Sequence, residues 1–283
     1  MVTVRIVIAL AASKDWELSQ MDANNAFLQG DLFEEASRQW NIKLTDALIG
    51  AGYNQSSYDH SLFTKRAAND IVIVLVYVDD ILITGSNEKL IEEAKATLHN
   101  KSKVNDLGQL GYFLGIELLR SQSGIVLNQK KYALELLADI GLSGSKPTTT
   151  PLEMNLKLTT VEYATHVGRS DDKQLTDIVS YQKLVGKLLY LTITRPDISF
   201  AVQVLSQFMQ QPKLSHWNAA LRLIRYIKGS PRQGILLKRG SHIGQLEAFC
   251  DSDWVACPNT RRSVTRFAAK LGDFLISWKS KKQ

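Results

Sequence analysis

The chain has little of what marks several protein classes. Among 283 residues there are two cysteines, Cys250 and Cys257. A disulfide framework is therefore excluded, no Cys/His cluster has zinc spacing, and a reducing, intracellular setting is expected. The longest apolar run, Ile71 to Val78, is eight residues, against the ~18 that a membrane-spanning helix needs. Val2 to Ala12 is apolar, but Arg5 interrupts it and no basic region precedes it, which favours a buried helix over an export signal. Charge of one sign is also scarce outside one segment. The net charge is +6 with a pI near 9.2, yet residues 260–283 carry seven Lys/Arg against one acid. The remainder is balanced, so the basic excess belongs to the C-terminal end rather than to a broad groove for nucleic acid.

With 45% hydrophobic and 22% charged residues, the chain reads as globular, of a length for roughly two domains. The periodicity predicts a helix over 3–13, a strand over 16–22 with Trp16, Leu18, Gln20 and Asp22 on one side, and a helix over 36–50 stopped by Gly50 and Gly52. Residues 71–83 are β-branched and apolar except for Asp79-Asp80, the pattern of two strands joined by a tight turn. Asn87 is placed to cap a helix through His99; strands fit 112–119 and 124–128, and a helix fits 131–140. Residues 143–177, rich in Ser, Thr, Pro, Gly and charge, read as a linker. Helical patterns follow over 181–191, 198–209 and 216–227, then strands over 246–251, 264–271 and 274–278.

Asp79-Asp80 is the most informative pair. Asp is a favoured turn residue, so a solvated turn explains it without chemistry. Two adjacent carboxylates are nevertheless costly to hold together unless a cation compensates them. Asp22, at the end of its own strand, supplies a third carboxylate if that strand lies beside the hairpin. Hard oxygen ligands of this kind suit Mg²⁺.

The segments Gln20-Met21-Asp22-Ala23-Asn24-Asn25-Ala26-Phe27-Leu28-Gln29-Gly30 and Val76-Tyr77-Val78-Asp79-Asp80-Ile81-Leu82-Ile83-Thr84-Gly85 resemble the first and third palm motifs of Ty1/copia-type retrotransposon reverse transcriptases. Further blocks of the same family follow in order: Ala36 to Trp40, Asp106-Leu107-Gly108, Tyr112 to Glu117, Leu191 to Ile198 and Arg225 to Gly229. The resemblance implies an α+β fold. A palm-like sheet with packed helices would occupy 1–142, a linker 143–180, a helical connection 181–240 and a partial RNase H-like β segment 245–283. It implies an RNA-directed DNA polymerase that uses Mg²⁺ or Mn²⁺, an RNA/DNA primer-template and deoxynucleotides. Asp22 and Asp79 would hold the metals, with Asp80 their companion. Phe27 would lie under the incoming sugar, and Tyr77 would approach the primer end. Asp251, in Asp251-Ser252-Asp253-Trp254, would match the first metal-binding acid of RNase H.

The family pattern also has parts that this sequence lacks. A basic fingers region normally precedes the first motif, and a sizeable block stands where Glu35 here meets Ala36. Helix-borne acids follow the point where this chain stops, and Gly is usual where Arg266 stands, so that a close strand contact there is expected to be disturbed. The expectation is a truncated, internally deleted Pol fragment that retains metal acids but is inactive. The alternative is a non-catalytic remnant, at most a weak nucleic-acid-binding scaffold using its basic end. Asp22 and Asp79 are expected on neighbouring antiparallel strands with Asp80 beside them at the turn, and Asp251 on a strand paired with 264–271.

Overall fold

The computed structural model describes residues 1–23, 33–101, 104–168, 172–253, 257 and 259–282. They divide into two units. The first comprises Met1–Val126, Leu236–Gly244 and Gly272–Phe274; the second comprises Leu127–Ile235, Gln245–Leu271 and Leu275–Gln283. Antiparallel sheets and packed helices make this a mixed α/β protein, compatible with the α+β class.

The first unit opens with α1 (Val2–Lys14) and β1 (Leu18–Ala23), then α2 (Phe33–Gly50), β2 (Asn54–Gln55), β3 (Leu62–Ala67), β4 (Asp70–Tyr77), β5 (Asp80–Gly85), α3 (Glu88–Lys101) and β6 (Val104–Gln109). The strands form one antiparallel sheet in the order β2-β3-β4-β5-β1-β6. Alternation decides which face is which. Val72, Val74 and Val76 of β4, Ile81 and Ile83 of β5 and Met21 of β1 meet Trp40, Leu44 and Leu48 of α2 and Ile91, Ala94 and Leu98 of α3. The helical residues recur at three- and four-residue spacing, the apolar stripe that a sheet face selects. Asn87 Oδ1 accepts from the Lys89 N–H, starting α3 where the sequence suggests.

α1 is buried on nearly every side, through Val4, Val7, Ile8 and Ala11, which agrees with its reading as an ordinary core helix. It ends at Asp15, in the left-handed region at φ 56°, and the Trp16 N–H bonds the Ala11 carbonyl. Trp16 therefore closes the helix instead of joining the strand, which begins two residues later than expected.

β7 (Tyr112–Phe113), β8 (Ile116–Ser121), β9 (Gly124–Asn128) and β10 (Ile235–Lys238) form a sheet in the order β10-β9-β8-β7. The single strand expected over 112–119 is thus broken at Leu114 and Gly115, which both have positive φ.

The second unit packs α4 (Lys130–Asp139), α5 (Val161–His166), α6 (Ile178–Leu191), α7 (Ser199–Ser206) and α8 (Leu214–Gly229). Its core includes Tyr181, Leu184 and Leu188 of α6, Val202 and Leu205 of α7, and Leu223, Ile224 and Ile227 of α8. The Tyr181 hydroxyl, fully buried, donates to the Leu205 carbonyl at 2.8 Å, so the ring fills the core without stranding a polar atom. The stretch after Gly141 contributes Leu158 to this core and contains α5. Residues 172–175 run beside the start of α8: Gln174 bridges Lys213, and Lys213 Nζ pairs with Asp172 at 3.0 Å. The chain ends with β11 (Leu246–Asp253), β12 (Val264–Leu271) and β13 (Phe274–Lys282), sheet neighbours in that order.

Candidate metal centre

β4 and β5 are joined by a two-residue turn, Val78-Asp79, closed by the register pair Tyr77 and Asp80. Val78 sits at φ 52°. For a β-branched residue that region stores roughly 1–3 kcal/mol, which persists only where the surroundings over-determine it. Here they do. Trp40 Nε1 donates to the Val78 carbonyl at 3.2 Å, and the Ala23 N–H donates to the Asp79 carbonyl at 2.9 Å. The turn is thus fastened both to α2 and to the end of β1.

The β1–β5 register sets Asp22 directly opposite Asp80. Opposed residues share a face, and so do Gln20, two residues before Asp22, and Tyr77, opposite Asp80. This face lies opposite the one that α2 and α3 cover. Asp22 and Asp80 are therefore the strand pair, and Asp79 is the turn residue. The expected positions of the two adjacent aspartates are exchanged, because the turn takes Val78 and Asp79 rather than both acids.

Asp79 and Asp80 both respond to the charges beside them. Burial first, then the charges of Asp22 and Asp80, push the Asp79 pKa above the usual carboxylate range. Asp80 is also raised, chiefly by burial and further by Asp22; hydrogen bonds from Gln20 and from the Leu114 backbone N–H act in the opposite direction. Gln20 Nε2 lies 3.1 Å from Asp80 Oδ1. Asp79 Oδ1, by contrast, is buried and has no hydrogen-bond partner. Among the described residues no group of three His, Cys, Asp or Glu side chains converges in the manner of a closed metal site. The acids share a rim without forming a three-ligand cluster.

Tyr77 is half-buried and meets the Phe113 ring edge-on, with centroids 6.4 Å apart and planes at 84°. Phe27 lies outside the described residues. Gln20, Trp40 and Leu114 were not singled out as site residues from the sequence. Only Gln20 leaves a trace there, through its i, i+2 spacing from Asp22.

Asp251 is exposed on β11 and pairs in register with Arg266 on β12. The disturbance expected at Arg266 does not occur: the eight register pairs of β11 and β12 run through it without interruption. Its guanidinium leaves the strand contact, donates to Asp253 Oδ2 at 2.7 Å and lies 4.4 Å from the centre of the Phe200 ring. Asp251 and Asp253 occupy one face, with Asp253 already paired.

Among the described residues no helix is long and apolar enough to cross a membrane. No solved structure matches the chain. Residues 33–154 match the family described as reverse transcriptase (RNA-dependent DNA polymerase). The chain is 37% identical to the retrovirus-related Pol polyprotein from transposon RE2 of Arabidopsis thaliana over 311 residues, covering 99% of this chain and 21% of that protein. It is 32% identical to the corresponding polyprotein from transposon TNT 1-94 of Nicotiana tabacum over 317 residues, covering all of this chain and 24% of that one. It is also 40% identical to the uncharacterized mitochondrial protein AtMg00810 of Arabidopsis thaliana, across 74% of this chain and 83% of that protein. The chain thus spans about a fifth of the length of the Pol polyproteins it matches. Both polyprotein matches extend over more residues than the 283 present here, so those relatives carry residues within the matched span that this chain lacks. The ordered motifs, the family match and the polyprotein relatives agree: this chain belongs to the reverse transcriptases of Ty1/copia-type retrotransposon Pol polyproteins.

Proposed function

We propose that the rim of Asp22, Asp79 and Asp80 is the divalent-cation site of an RNA-directed DNA polymerase palm. The observation that carries this reading is the buried, partnerless Asp79 Oδ1 beside two further carboxylates. A desolvated anionic oxygen among like charges is costly unless a cation meets it. The donors are hard oxygens, which fit Mg²⁺ or Mn²⁺. Asp22 and Asp79 would hold the ion, with Asp80 adding negative charge nearby. When bound, such an ion stabilises charge on the attacking and leaving oxygens during phosphoryl transfer.

The chain's own residues would do the rest. Trp40 and Ala23 fix the turn, so Asp79 is presented without a search through conformations. Tyr77, braced by Phe113, shares the face of Asp80, which supports its assignment to the primer end by its motif. Phe27 is assigned to the sugar of the incoming deoxynucleotide by its motif. The RNA/DNA primer-template is the polymeric partner. The first unit corresponds to the palm, the helices of the second unit to the connection, and β11–β13 to part of an RNase H-like domain in which Asp251 is the metal-binding acid.

Activity of this chain is a separate matter. Glu35 meets Ala36 directly where the family has a template- and nucleotide-positioning block, and the polyprotein relatives carry extra residues within the match. Orienting reactants contributes ~7–11 kcal/mol in well-built sites, so losing half of that costs several powers of ten. The test is primer extension on an RNA template with Mg²⁺ or Mn²⁺. Three proteins are compared: this chain, a version with the relatives' block inserted after Glu35, and that version carrying Asp79→Ala. The expected result is negligible extension by the first, measurable extension by the second and its loss in the third. Extension by the second that survives Asp79→Ala would overturn the assignment of the site. Extension by the unmodified chain would overturn the need for the block.

A further inference from the structure

The two adjacent acids of the turn are treated very differently by their surroundings. Asp79 Oδ1 has no partner. The Asp80 carboxylate receives two protein donors, Gln20 Nε2 at 3.1 Å and the backbone N–H of Leu114. Gln20 is itself buried, on a strand where its register neighbours are Leu82 on one side and Gly108 on the other. An apolar residue would satisfy such surroundings at no desolvation cost, so the amide at this position calls for a specific use.

The strand next to it is shaped around the same residue. The β1–β6 register shifts between Gln20 and Met21: Gln20 faces Gly108, Met21 faces Asp106, and Leu107 is left unopposed. This is a β-bulge. Gly108 takes φ 77°, and its N–H is bonded by Asp106 Oδ1 at 2.8 Å. Bulges bend a strand and re-aim the side chains beside it. The Asp106-Leu107-Gly108 block, prominent in the sequence, therefore sits opposite the residue that grips Asp80.

We propose that Gln20 is a positioning residue that, together with the Leu114 N–H, holds the Asp80 carboxylate back from the cation, leaving Asp22 and Asp79 as the two carboxylates that bind it. This rests on the metal-site reading above and deepens it. Mg²⁺ in phosphoryl-transfer sites is held by one or two carboxylates and keeps the remaining positions for water and substrate phosphates. A third carboxylate would occupy a position that a triphosphate needs. Gln20 keeps that position open.

The test is Mn²⁺ binding to the full chain, followed by titration and by water-proton relaxation, which reports how many waters remain on the ion. The proteins are the unmodified chain, Gln20→Met (close in volume but without donors), Asp80→Asn, the double variant and Asp79→Asn. Circular dichroism verifies that each is folded. Gln20→Met is expected to tighten Mn²⁺ binding about tenfold, because Asp80, then held by the Leu114 N–H alone, can join the ion, and to lower its bound water count. Both changes vanish when Asp80→Asn is also present. Asp80→Asn alone weakens binding modestly, through the loss of a nearby charge, and Asp79→Asn loses it. A residue that merely packs β1 would give weaker binding on substitution, equally with and without Asp80. That result, or an unchanged affinity in Gln20→Met, would overturn the inference while leaving the metal site standing. Loss of binding in Asp80→Asn as complete as in Asp79→Asn would do the same, since Asp80 would then be a ligand. Failure of the unmodified chain to bind millimolar Mn²⁺, or binding that Asp79→Asn leaves intact, would overturn the metal-site reading and the inference with it.

Discussion

Replacing Arg195 should damage the helical unit through its polar contacts rather than its apolar core. Arg195 is 2% exposed. Its Nε and Nη2 donate to the two oxygens of Asp197 at 2.9 and 2.7 Å, and Nη1 donates to the Ser230 carbonyl at 3.0 Å. The Tyr226 hydroxyl donates to Asp197 Oδ2 at 3.0 Å. The segment between α6 and α7 is thus clamped to the end of α8. Arg195→Ala would leave a carboxylate and a carbonyl without their partner; breaking a buried pair from one side costs about 3–5 kcal/mol. Asp197 retains some solvent access, at 22% of its side chain, which places the expected loss near the lower end, about 3 kcal/mol. Arg195→Lys keeps the charge but not the planar fork, so about 2 kcal/mol is expected. Tyr226→Phe removes one bond to a charged acceptor, about 1.5 kcal/mol. Urea unfolding followed by helical circular dichroism ranks the three. A loss below ~1 kcal/mol for Arg195→Ala, or a lysine variant as stable as the parent, would refute the view that this fork organises the unit.

Three further outcomes follow from particular contacts. His216 is fully buried against Phe208, and burial, then the charge of Lys213, hold its pKa down at about 4. The unfolded chain takes up this proton near pH 6.5, so stability should fall as pH drops from 6.5 toward 4, by on the order of 3 kcal/mol; denaturant midpoints that do not move across that window would contradict it. Trp40→Phe removes the bond to the Val78 carbonyl and should cost about 1 kcal/mol, with faster hydrogen exchange at Asp79 and Asp80 than elsewhere in the sheet. Gly108→Ala puts a side chain at φ 77° and should destabilise by about 1–2 kcal/mol, read as a lower thermal midpoint; an unchanged midpoint would argue against a fixed bulge.

The hairpin over 71–83 was legible because both its strands are apolar and only Asp79-Asp80 interrupts them, and α3 because Asn87 and its apolar spacing agree. β6 was not, for a physical reason. It lies at the sheet edge and exposes most of its residues from Asn105 to Gln109, so it leaves no alternation to read. β3 is internal but half-buried along most of its length and carries Lys65 and Arg66, so it too shows no clean alternation. The acids of the site were visible as residue types, but which of them opposes Asp22 depends on where the turn closes. That is a one-residue question which periodicity cannot answer. Arg266 looked disruptive in sequence because its outlet over Phe200 is contributed by a helix more than 60 residues away. Gln20 carried no chemical signal of its own; its use appears only when Asp80 is seen across the strand.

The proposed divalent ion belongs at the end of β1 and the β4–β5 turn. Mn²⁺ titrated into isotope-labelled protein at low stoichiometry, with amide signals followed residue by residue, tests it most directly. Paramagnetic broadening is expected first at Asp22, Ala23, Val78, Asp79 and Asp80, and it should be abolished by Asp79→Asn. Broadening centred instead on Asp251, or spread evenly over the surface acids and unaffected by Asp79→Asn, would contradict the account.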